Sequence, residues 1–280
     1  MDRITNHTDH SQHSPELHAE LLGSRPEQCV RVHTLGRFTV QVDGKPFPPK
    51  LAAQQKPMEF LQAIISLGGR NISSEIIGSS LWPDAEGDAA ANAFDINLYR
   101  ARKTLGYKDA ITVSAGKCSL NNARVWVDAW EFERILNKID RILVNPANTD
   151  PASDDIELLL QDALSLYQGG FLSRETAKSW NVSLRERLRF KLFRHITAVS
   201  HIAEENGRWV NAIYFYQKGL EIEPLAEELY QRLMICYQYM GRKAEALSVY
   251  QRCRANLSAG LDIVPSPETE KIRTSIYLAA

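Results

Sequence analysis

A recurrence in the C-terminal half restricts the fold more than any other feature of the chain. Gly207-Arg208 returns 34 residues later as Gly241-Arg242. At the same offset Ala212 returns as Ala246, Tyr216 as Tyr250 and Gln217 as Gln251. A period of that length holds two short helices and a turn, and one such unit cannot bury its own apolar face. Alanines let neighbouring helices approach, and tyrosines fill the gap beside them, so copies must stack. Apolar periodicity extends the helical text on both sides of the repeat. It predicts helices at about 154–167, 180–206, 208–222, 225–240, 242–258 and 267–278.

The N-terminal half reads differently. Residues 1–28 are polar and aperiodic, the composition of a disordered tail. His7, His10 and His13 recur there at a spacing of three, but with no scaffold to hold them they are not taken as a metal site. Val30, Val32, Phe38, Val40 and Val42 alternate with polar residues around Leu35-Gly36. Asp43-Gly44 then signals a tight hairpin with a short return strand at 45–47, ended by Pro46, Pro48 and Pro49. A helix follows over about 54–67, with Phe60, Leu61, Ile64, Ile65 and Leu67 as its buried set. Ser73 or Ser74 caps a short helix through Leu81, which Trp82-Pro83 ends.

Residues 86–106 form the next helix, about 30 Å long, with Gly106 as its stop. Ala90, Phe94, Leu98, Ala101 and Leu105 make a thin apolar stripe. The opposite face carries Asn92, Asp95, Ile96, Tyr99 and Lys103, flanked by Arg100 and Arg102. Arg and Asn can pair bidentately with base edges, and Lys and Tyr can hold phosphates. An ordinary solvated face has the same composition, so the surroundings decide. Alternation returns after Gly106 in Ile111 and Val113, Cys118 and Leu120, then Val125 and Val127, with a bend at Ser114-Ala115-Gly116-Lys117. Sheet, three helices and hairpin make a winged helix–turn–helix, an α+β domain whose third helix reads DNA and whose hairpin is the wing. Phe60, Leu61, Ile64, Leu81, Trp82, Phe94, Leu98 and Trp126 are its expected core. Gly116-Lys117 lacks the first glycine and the Ser or Thr of a P-loop and is read as a turn.

The runs QQKPMEFLQAIISLGGRNISSEIIGSSLWPDAE, NAFDINLYRARKTLG and VWVDAWEFERIL together closely resemble the DNA-binding domain of SARP-type bacterial transcriptional activators, an OmpR/PhoB-like winged helix. The matching positions are Leu81, Trp82, Pro83 and Asp84 (LWPD), Asn92, and the exit residues Val127, Asp128, Glu131 and Phe132. The stretches LYQGGFL, SLRERLRFKLFRHI and LDIVPSPETEKIRTSIY, with the 34-residue repeat, resemble the tetratricopeptide-like bacterial transcriptional activation domain of the same family. The likeness covers residues 29–280 and implies a tail (1–28), a winged-helix domain (29–128), a connecting helix and linker (129–153) and an all-α repeat domain (154–280). It implies DNA contacts by Asn92, Asp95, Tyr99, Arg100, Arg102 and Lys103 on the reader helix, and by Lys117 at the wing tip. It further implies double-stranded promoter DNA bearing direct repeats, a possible homodimer on that DNA, and recruitment of RNA polymerase through its sigma or alpha subunit. Asp95 departs from the pattern, since the family often has a basic or neutral residue there. It either accepts from a cytosine amine or pairs with Arg102 or Tyr99.

Charge supports this modestly: residues 29–128 carry 12 basic and 9 acidic side chains, although the whole chain has a net charge of −1. No run approaches the length of a membrane span and the N-terminus lacks an apolar signal core, so a cytoplasmic protein without membrane contact is expected. Four scattered cysteines without a CxxC pair indicate neither zinc nor a disulfide framework. No catalytic arrangement or cofactor motif is found, and no receiver domain precedes the winged helix, so neither an enzyme nor an aspartate-phosphorylation switch is expected. Two other functions remain open. One is a regulator whose repeat domain binds a small molecule or nucleotide messenger in a groove of Arg187, Arg194, Trp209, Tyr214 and Tyr237. The other is a protein–protein adaptor that has lost DNA binding.

Overall fold

The computed structural model describes residues 28–47, 55–85, 87–144 and 154–278. The tail, Pro48, Pro49, Lys50, the start of the reader helix at Glu86 and the 145–153 linker lie outside the described residues. The chain forms two compact units. One comprises residues up to His33 and 39–131; the other comprises 34–38 and 132–280.

In the first unit, β1 (Val30–His33) and β2 (Thr39–Val42) pair antiparallel, Val30 opposite Val42 and His33 opposite Thr39. Asp43 and Gly44 both adopt positive φ, 51° and 73°, the geometry that a two-residue hairpin with the strand's own twist demands. The return strand β3 (Lys45–Pro46) is the sheet edge, where a proline costs no ladder bond. The helices are α1 (Gln55–Ser66), α2 (Ser74–Leu81) and α3 (Asp88–Leu105). Between α1 and α2 a two-residue strand, β4 (Ile72–Ser73), pairs with the hairpin formed by β5 (Ile111–Ser114) and β6 (Lys117–Leu120), in the order β4-β6-β5. Sequence reading gave no strand at β4. A last strand, β7 (Val125–Val127), leaves the hairpin and lies parallel to β1, completing a sheet β3-β2-β1-β7.

The unit's core is where the stripe predicts it. Phe60, Leu61, Ile64 and Ile65 meet Phe94, Leu98, Ala101 and Leu105, with the Phe60 and Phe94 rings edge to face at 5.4 Å. Ala90, Leu81 and Trp82, expected inside, are only half-buried.

The second unit is all helix: α4 (Asp128–Val144, from Phe132 onward), α5 (Asp154–Leu166), α6 (Ser179–Glu205), α7 (Trp209–Ile222), α8 (Glu227–Tyr239), α9 (Lys243–Leu261) and α10 (Pro267–Leu278). The sequence repeat is a structural repeat. Gly207 and Gly241 turn with φ of 69° and 71°, and Arg208 and Arg242 each donate their N–H at 2.8 Å, to the carbonyls of Ala203 and Tyr237. Ala212, Ala246, Tyr216 and Tyr250 are all buried, as the helix contact requires.

Side-chain contacts also join the helices that precede the repeat. Glu133 pairs with Arg187, Lys191 donates to Asn137 at 2.5 Å and Arg194 donates to Asp140 at 2.8 Å, each pair 54 residues apart. A constant difference means that α4 and α6 run parallel and in register. Asn211 donates to Glu157, also 54 residues earlier, which brings α7 against α5. The α5–α6 pair directly precedes this repeat. Its helices are separated by the LYQGGFL turn, where Leu172 donates to Thr34 and Gly36 donates to Gly170. Among the described residues no helix is long and apolar enough to cross a membrane.

Candidate nucleic-acid interface

The helix–turn–helix is built from α2 and α3. Ser73 Oγ accepts the Glu75 N–H at 3.2 Å, which fixes the start of α2. Gly106 closes α3 in the left-handed conformation with φ 77°. With Phe94, Leu98, Ala101 and Leu105 inside, helical geometry turns Asn92, Ile96, Tyr99 and Lys103 outward as one row, at i, i+4, i+7 and i+11. All four are exposed, as are Asp95 and Arg100 beside them. No side chain of these six has a hydrogen bond or ion pair among the described residues, so their polar groups are available to a partner. Asp95 in particular is not paired with Arg102 or Tyr99, which removes one of its two expected roles.

Arg102 requires a correction. Sequence position sets it on the reader helix as a DNA contact, but it is half-buried and its Nε donates to the Ile111 carbonyl at 2.8 Å. It braces α3 against the first strand of the wing. Arg102→Ala is expected to cost the fold about 1–2 kcal/mol through the lost charged hydrogen bond, seen as a lower urea midpoint. An unchanged midpoint would return Arg102 to the groove.

Asn97 was missed by sequence reading. It is buried on the α3 stripe, donates Nδ2 to the Ala93 carbonyl at 2.8 Å, and holds Oδ1 away from any protein donor. A polar residue at i+3 from Phe94 inside an otherwise apolar stripe was the available signal.

The wing is short and anchored. Ala115 and Gly116 turn with φ of 48° and 72°, and Lys117 follows exposed at the start of β6. Lys117 lies opposite Ser114 on one side and Ser73 on the other, and Ser74 donates to the Gly116 carbonyl at 2.9 Å. Lys117 is thereby fixed in position next to the N-terminus of α2 with its ammonium free. Lys56 and Arg70 are exposed as well.

The five residues of the candidate ligand groove each contact other groups. Arg187 pairs with Glu133 and Arg194 with Asp140. Trp209 stacks on Tyr239 at 4.7 Å, and Tyr214 lies edge-on to Phe215. Tyr237 is buried, accepts from Gln217 Nε2 at 3.2 Å and lies beneath the Arg242 guanidinium. No contact of these kinds joins any two of the five residues. Asp140 also faces His195 and Lys191. Burial opposes its charge, but His195, Lys191 and Arg194 together hold its carboxyl below the usual range. The four cysteines are free, and burial pushes the thiols of Cys118, Cys236 and Cys253 up to about 11, 12 and 12, which keeps them protonated and unreactive.

A model of the bacterial transcriptional activator domain matches residues 127–277, more than half of the chain. The chain belongs to that family. It is a transcriptional activator of the SARP type, with an α+β winged helix followed by an all-α tetratricopeptide-like unit. Among solved structures, the activator is similar to Mycobacterium tuberculosis EmbR in complex with a low-affinity phosphopeptide, at 19% identity and a TM-score of 0.65. The match covers 90% of this chain and 66% of that one, so the activator spans just under two thirds of the EmbR chain. At that identity the likeness is one of fold. No curated protein matches the sequence.

Proposed function

We propose that this activator binds double-stranded promoter DNA sequence-specifically, with α3 in the major groove and Lys117 on the neighbouring backbone. The observation that carries the reading is the row on α3: Asn92, Tyr99 and Lys103, with Asp95 and Arg100 beside them, exposed and without protein partners on a helix held by its opposite face. In this reading the protein works in the cytoplasm, copies bind head to tail on direct repeats, a heterologous arrangement, and the repeat unit recruits RNA polymerase. A small-molecule function has less support, because Arg187 and Arg194 are paired with Glu133 and Asp140 and Tyr237 is in the core.

Selection from a random duplex pool, followed by titration of the recovered site at two salt concentrations, tests this. A recovered direct repeat with salt-dependent affinity is the expected result. Recovery of no motif by folded protein would overturn it. Asn92→Ala is expected to cost about 1–3 kcal/mol on the selected site and little on random DNA, as for a base contact. Lys117→Ala should weaken both alike and reduce the salt slope by about 1. Equal losses for the two variants on both duplexes would reject the assigned roles.

A further inference from the structure

The row on α3 has an unexpected centre. A surface that only tracked phosphates would be basic along its length, yet the middle of this one is Ile96 and Tyr99, 49% and 65% exposed. The flanking charges, Asp95 and Arg100, are of opposite sign, and the row's own cation, Lys103, lies toward its C-terminal end. Scattered exposed apolar side chains are ordinary on a protein surface. Ile96 is not scattered: it stands between Asn92 and Tyr99 on the line directly opposite Phe94, Leu98 and Leu105, and it is not among the buried residues of α3. It also shares the helix–turn–helix with Ile76 of α2, which is 52% exposed.

An aliphatic branch in the centre of a reading helix has one apolar complement in the major groove, the C5-methyl group of thymine. We infer that Ile96 is a specificity-determining residue that selects thymine by packing its side chain on that methyl. The inference rests on the groove reading proposed above and extends it to the base recognised. Asn92 and Asp95, on neighbouring turns, then supply the polar half of the recognition. Asn92 suits adenine, and the Asp95 carboxylate suits a cytosine amine.

Replacing thymidine by deoxyuridine removes the methyl and leaves every base-edge donor and acceptor in place. Each thymidine of the selected site is exchanged singly and the full chain is titrated on each duplex. The wild-type protein is expected to lose about fourfold in affinity at one or two positions per repeat, the worth of one buried methyl group. Ile96→Ala should bind the thymidine and deoxyuridine duplexes equally, and Ile96→Val, which keeps a branched side chain, should retain the discrimination. Ile96 is exposed, so circular dichroism and the melting temperature of both variants should match the wild type. A selected site at which no deoxyuridine exchange affects the wild type would overturn the inference while leaving the groove reading intact. So would an Ile96→Ala protein that still discriminates at the same positions. Recovery of no site at all would overturn both.

Discussion

Phe94→Ala is expected to destabilise the winged helix by about 3–5 kcal/mol, the range for truncating a buried phenylalanine. Phe94 is the largest side chain that α3 places in the core. It meets the fully buried Phe60 edge to face at 5.4 Å, so the variant loses apolar burial and an aromatic pair and leaves a cavity between α1 and α3. A typical domain has about 5–15 kcal/mol in all, so the loss is a large fraction of it. The functional effect should be larger still. α3 is held chiefly by its buried stripe, and a helix free to rock over a cavity cannot keep Asn92 and Tyr99 in register with base edges. Urea unfolding should show the lower midpoint. Hydrogen exchange should show amides of α1 and α3 losing protection. A Phe94→Ala protein with wild-type midpoint and operator affinity would mean that the stripe does not position the reading face.

How much of this was legible in the sequence depends on how local each signal is. The stripe of α3, its Gly106 stop, the Ser73 cap and the 34-residue repeat are written within a few turns of chain, and the structure follows them. The two-residue strand β4 has no periodicity of its own and exists because β6 pairs with it. The side that Arg102 takes is likewise a long-range matter. A wheel puts it on a flank, and only the position of the Ile111 carbonyl turns it toward the wing. The contacts of α4 with α6 and of α5 with α7 escaped because they join residues 54 apart with no recurring residues to mark them. The arginines and rings of the candidate groove are placed by the same long-range contacts. Composition shows that cations and rings are present, but Glu133, Asp140 and Tyr239 decide where they go. What the sequence did carry for the DNA face was the set of polar side chains that the fold does not use.

The repeat unit offers the second large effect, at Glu204. Its Oε2 accepts the Tyr216 hydroxyl at 2.9 Å and Arg232 Nε at 3.1 Å, and its Oε1 lies 3.0 Å from the second arm of the guanidinium. One nearly buried carboxylate at the end of α6 therefore ties down α7 through Tyr216 and α8 through Arg232. Burial, with Glu204 alongside, keeps the Tyr216 phenol above its ordinary pKa, so it remains a donor at any physiological pH. Glu204→Ala would leave the buried Tyr216 hydroxyl without an acceptor and the half-buried Arg232 guanidinium without its partner. The unsatisfied buried hydroxyl and the lost charged hydrogen bond together cost about 2–3 kcal/mol, since water regains part of the Arg232 guanidinium. Tyr216→Phe removes one neutral donor and should cost only about 1 kcal/mol. Glu204→Gln, which keeps the volume and one acceptor, should fall between them. Stacked repeats are stabilised chiefly by their neighbours, so hydrogen exchange in Glu204→Ala should show α7 and α8 opening together. If Glu204→Ala costs no more than Tyr216→Phe, the carboxylate is a passive acceptor, and apolar packing of Tyr216 and Leu229 alone joins these helices.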